Sequence, residues 1–149
     1  MPDTESPQLD AWVHHLRDAV GPKTDDVILV GHSLGCPTIL RFLESMTEGQ
    51  IRGAVLVAGF YEDLGPRFAE IAHFVVPPID MARANTHCNS FAVLHAPDDQ
   101  TVPLPFAERL ASALGVDPIL TRGRGHYSGS NGITKAPEIV QSLEEILEQ

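Results

Sequence analysis

Ser33, the pair Asp98 and Asp99, and His126 are the residues of this chain whose types and order could do chemistry together. A serine hydroxyl is a poor nucleophile until an imidazole takes its proton, and a carboxylate holds that imidazole in the right tautomer and steadies the imidazolium. The chemistry is acyl transfer through a covalent acyl-serine. Ser33 sits in Gly31-His32-Ser33-Leu34-Gly35, a G-x-S-x-G pattern that carries weight only where a strand enters the turn and a helix leaves it. Here Val27-Ile28-Leu29-Val30 precedes the turn and the apolar stretch from Pro37 to Met46 follows it. Such a turn strains the serine backbone and lifts its hydroxyl above the sheet, with glycines two residues to either side avoiding clashes. Ser33 is the expected nucleophile, and the backbone N–H of Leu34, next in the chain, is an expected oxyanion donor.

Taken singly, each residue has a plainer reading. Ser33 is then an incidental turn serine, and His126 a loop histidine in a chain of seven. Asp98 or Asp99 is then a helix-capping carboxylate ahead of Val102-Pro103. Their positions along the chain favour the joint reading. An amphipathic helix begins with Ser6 as cap and Pro7 at its first position, carries Leu9, Trp12, Val13, Leu16 and Val20, and stops at Gly21-Pro22. Strands follow at Val27 to Val30 and Ala54 to Ala58, both apolar enough to be buried on two faces. An irregular region from Leu64 to Asn89 holds short helices around Phe68 to Phe74 and Asp80 to Ala84. A third strand, Phe91 to His95, precedes the aspartate loop and a helix from about Pro105 to Leu114. A fourth, Pro118 to Thr121, precedes the glycine-rich loop of His126, and a last helix spans about Ala136 to Glu148. Strands alternating with helices predict an α/β fold: one doubly wound, mostly parallel sheet of about four strands with helices on both faces, forming a single domain over 1–149. Ser33, Asp98-Asp99 and His126 all follow strands, so a parallel sheet delivers them to one edge.

Composition narrows the partners. The 149 residues carry a net charge of −10 with no Lys/Arg cluster, which argues against nucleic acid and anionic membranes. No apolar run approaches the roughly 18 residues of a membrane span, and the first residues lack the charge of a signal peptide. Cys36 and Cys88 have neither C-x-x-C nor zinc spacing and read as buried free thiols of a cytoplasmic protein. His95, Asp98 and His126 match no metal-ligand spacing, so neither metal nor cofactor is expected. His32 is expected to pack or hydrogen-bond locally rather than act as the base. With Phe60, Tyr61 and Tyr127, which lie just past strand ends, it is a candidate pocket residue.

The order Ser, Asp, His is that of the α/β-hydrolases. Within that superfamily the whole chain resembles the retinoblastoma-binding protein 9, or YdeN-like, small serine hydrolases. The resemblance rests on the G-H-S-x-G of Gly31 to Gly35, the D-D-x-x-V/L-P form of Asp98 to Pro103, and the late Gly125-His126. It implies that the second aspartate, Asp99, belongs to the triad, a choice that spacing leaves open. The implied activity is hydrolysis of a small-molecule carboxylic ester or amide. Family members begin with a further strand-helix-strand unit whose first turn supplies a second oxyanion donor, so an N-terminally truncated domain is expected here. Its bare sheet edge is a candidate homodimer surface. A catalytically silent scaffold of the same shape, or an acyltransferase with the same triad, are the alternative readings.

Overall fold

In a computed structural model that describes residues 1–149, the chain forms one four-stranded, wholly parallel sheet in the order β1-β2-β3-β4. The strands are β1 (Ile28–His32), β2 (Gly53–Val57), β3 (Phe91–His95) and β4 (Pro118–Leu120). The helices are α1 (Leu9–Val20), α2 (Gly35–Ser45), α3 (Met81–Thr86), α4 (Leu104–Leu114) and α5 (Pro137–Leu147). Because successive strands step one way across the sheet, right-handed crossovers must all lie on the same face. That face holds the main core, a cluster of 23 buried residues drawn from α1 to α4 and the sheet, against only four on the other face around Val55, Val57, Leu94 and Ile146. The one helix on that second face is α5, packing on β2 and β3. Fully buried side chains such as Leu40, Leu43 and Phe74 each contribute roughly 1.5–3 kcal/mol of apolar burial.

Two local expectations need correction. β2 is buried along its whole length, but β1 is not: Leu29 and Gly31 face the core, whereas Val30 and His32 are exposed. The reason is that β1 is an edge strand lying beside the strands on which α5 packs. Helix α1 starts two residues later than Ser6 and Pro7 suggest, because Ser6 N–H is used in a turn to the Asp3 carbonyl and Gln8 becomes the N-cap. The irregular region holds short helices at both expected places: Pro66–Phe74 is 3₁₀, interrupted at Phe68, and α3 is α-helical, with Asp80 capping the Arg83 N–H at 3.0 Å.

Candidate active site

The end of β1 turns sharply into α2, and Ser33 carries the strain, with φ +50°. Its N–H donates to the Val57 carbonyl at 2.9 Å, tying the turn to the neighbouring strand, and its own carbonyl accepts from Cys36 N–H at 2.9 Å to start the helix. The Leu34 N–H makes no backbone hydrogen bond and stands beside Ser33 at the α2 N-terminus, where the helix dipole favours negative charge. The two glycines of the motif turn out to be unequal. A Cβ on Gly31 would lie 2.9 Å from the carbonyl carbon and oxygen of Gly35 and 2.8 Å from Ile39 Cδ1, whereas one on Gly35 would meet nothing within 4 Å. Gly31→Ala is therefore expected to cost about 1–3 kcal/mol and shift the elbow, with Gly35→Ala leaving the fold intact; chemical denaturation of the two variants checks this. Cys36 lies fully buried behind the elbow, its Sγ 3.3 Å from the Gly31 carbonyl, and burial pushes its thiol up to about 12. That makes it an inert packing group rather than a nucleophile.

The loop after β3 uses its two aspartates differently. Asp99 turns inward, 5% exposed: Oδ1 accepts from Thr101 N–H at 2.7 Å and Val102 N–H at 3.0 Å, while Oδ2 accepts from His126 Nδ1 at 2.8 Å. Burial raises its carboxyl pKa, but the His126 and backbone donors outweigh burial and hold it below the ordinary value. Asp98 turns outward and clamps the histidine loop by its backbone, accepting from Gly123 N–H at 3.0 Å and Gly125 N–H at 3.1 Å. Both aspartates thus reach the same loop, one through its ring and one through its peptide groups. Asn131 completes the clamp, its Oδ1 accepting from His126 N–H at 3.0 Å and Ser128 Oγ at 2.6 Å. With Nδ1 committed to Asp99, Nε2 of His126 is the nitrogen left for a hydroxyl.

Asn131 gives no signal in the sequence, and His95 enters there only as a histidine without metal-ligand spacing. The structure buries His95 completely at the end of β3, donating from Nε2 to the Val102 carbonyl at 3.0 Å, with Asp99 Oδ2 4.0 Å away. Burial lowers its pKa, favouring the neutral ring, against the opposing pull of Asp99 and the Val102 carbonyl. Of the candidate pocket residues, only His32 lines the groove of about 430 Å³ that contains Ser33 and Leu34. Phe60 is 2% exposed inside the main core and Tyr61 packs against that core. Tyr127 lies over the second cluster with its hydroxyl bonded to Thr121 Oγ1, so these three rings are used in packing. A larger surface groove of about 710 Å³, between α1 and α2, contains none of the chemical residues.

The model of the family described as serine hydrolase matches residues 1–145. The protein YdeN of Bacillus subtilis is 32% identical over 144 residues, which are 96% of this chain and 75% of that protein. The crystal structure of the ydeN gene product superposes with a TM-score of 0.92 at 30% identity, covering 100% of this chain and 80% of that one. A YdeN-like hydrolase from Pectobacterium atrosepticum shares the fold with a TM-score of 0.72 at 24% identity, covering 96% and 71%. The sheet and its flanking helices are thus those of an α/β-hydrolase, and the YdeN side of the sequence resemblance is the side these matches carry.

Proposed function

Because the chain belongs to the serine hydrolase family and is a hydrolase, we propose that it cleaves small-molecule carboxylic esters or amides through an acyl-enzyme on Ser33. His126 Nε2 takes the Ser33 proton as Oγ bonds to the substrate carbonyl carbon. The resulting oxyanion is stabilised by the Leu34 N–H. As the tetrahedral intermediate collapses, the bond to the leaving group breaks and the proton passes from His126 to that group. Water repeats the sequence: it gives a proton to His126 and attacks the acyl carbon, and Ser33 leaves with its proton restored. Asp99 fixes the His126 tautomer and stabilises the imidazolium.

The observation that carries this reading is the 2.8 Å hydrogen bond from His126 Nδ1 to the buried Asp99 Oδ2, which leaves Nε2 available as the base. The strained backbone of Ser33 supports it. Cys36 and Cys88, both free and buried, support a reducing compartment, the cytoplasm; no helix is long and apolar enough to cross a membrane. The test is turnover by the purified 149-residue chain of p-nitrophenyl acetate and butyrate and of the matching anilides. Saturable release of nitrophenol or nitroaniline with equimolar carboxylic acid is expected from at least one series. A chain that is folded by circular dichroism and turns over neither would overturn the proposal.

A further inference from the structure

Ser33 and His126 sit on loops that leave opposite edges of the sheet, after β1 and β4, with β2 and β3 between them. Three interstrand spacings separate those edges, roughly 14 Å, so how closely His126 can approach Ser33 depends on how the two loops are held together. The His126 loop is anchored toward β3 by Asp98 through its peptide groups and by Asp99 through the His126 ring, and within itself by Asn131. Toward β1 it has one hydrogen bond to the elbow: His32 Nε2 donates to the His126 carbonyl at 2.7 Å. The two imidazole rings also touch, with centroids 4.9 Å apart at an interplanar angle of 51°. His32 immediately precedes Ser33 in the chain, so this bond runs from the peptide of the base to the residue beside the nucleophile. It is exposed, on the face of β1 away from the core, so its side chain contributes little to burial.

From this juxtaposition we propose that His32 is a positioning residue: its Nε2–H, bonded to the His126 carbonyl, sets the approach of His126 to Ser33 and thereby the rate of proton transfer between them. The inference rests on the assignment of Ser33 and His126 given above. Nothing in it requires His32 to exchange a proton, since the neutral tautomer protonated at Nε2 makes the bond. The donor, rather than the ring, is the working part. A misplacement of about 1 Å between reacting groups can cost on the order of 10²-fold in rate, without any change in how the substrate is held.

The test compares His32→Phe, which keeps a ring and removes the donor, with His32→Gln, which keeps an N–H donor without the ring. The readouts are kcat and KM for p-nitrophenyl acetate, the thermal midpoint, and Ser33→Ala measured in parallel. His32→Phe is expected to lower kcat about 10- to 100-fold with KM within about twofold and an unchanged midpoint, and His32→Gln to recover most of the loss. Wild-type kcat in His32→Phe, an equal loss in both variants, or a loss confined to KM would each overturn the proposal. Ser33→Ala separates the two levels: if it retains turnover, the nucleophile assignment itself fails; if it is inactive while His32→Phe is not, only the positioning role fails.

Discussion

Ser33→Ala is expected to lower kcat for p-nitrophenyl esters by at least about 10⁴-fold, leaving the residual rate that binding and oxyanion stabilisation provide. The substitution is unusually clean in this backbone. Ser33 has φ +50°, a region that disfavours side chains, yet Ala58, at the end of the adjacent strand, already sits at φ +49°. Alanine is therefore compatible with the conformation, and the Ser33 backbone bonds to Val57 and Cys36 do not involve the side chain. Stability should change by no more than about 0.5 kcal/mol, so the loss of rate reports the missing hydroxyl. Steady-state kinetics beside a denaturation curve check both halves; a folded variant with near wild-type kcat would remove Ser33 from the mechanism.

Asp99→Asn is the second large effect, expected at about 10⁴-fold in kcat near neutral pH. The structure supplies the reason. Oδ1 of Asp99 accepts from two backbone donors, Thr101 and Val102, so the amide oxygen of asparagine would be held there. Its NH₂ would then face His126 Nδ1, which must become the acceptor, and the proton would move to Nε2. A ring protonated at Nε2 cannot take the Ser33 proton. The same variant changes the acid limb of stability. Because the Asp99 carboxyl is held below its ordinary value of about 3.9, its contribution is fully present above that pH and is lost as pH falls through the lower folded value. In Asp99→Asn that contribution is absent, so stability should fall less steeply with acid below about pH 4; denaturation midpoints measured across pH 2 to 7 read this out. An unaltered slope, or kcat within tenfold of wild type, would contradict the assigned role.

The parallel sheet and the strand-elbow-helix around Ser33 were legible because they rest on local signals: continuous apolar runs, turn residues and a motif with its flanks. The sequence is silent where the outcome depends on tertiary surroundings or on loop shape. Val27 to Val30 is as apolar as a doubly covered strand, and only the place of β1 at the sheet edge leaves Val30 49% exposed. Phe60 and Tyr127 follow strand ends, where pocket residues also occur, but whether an aromatic ring faces a groove or the core is decided by the element it meets. Asp98 and Asp99 were indistinguishable by spacing, because both extend toward the same loop. What separates them is burial: the inner carboxylate meets the imidazole and the outer one meets the backbone of Gly123 and Gly125. His95, Asn131 and the His32 bond to His126 are pairings across 7, 5 and 94 residues whose meaning depends on loop shape, which no composition or periodicity encodes.

The assignment of Ser33 as the covalent nucleophile is tested most directly by a fluorophosphonate, which is captured by an activated serine and is not turned over. After incubation of the native chain, proteolysis and peptide mass mapping should place a single phosphonyl adduct on Ser33, with stoichiometric loss of esterase activity and no adduct on Ser33→Ala. An adduct on another residue accompanying the loss of activity, or undiminished labelling of Ser33→Ala, would contradict it.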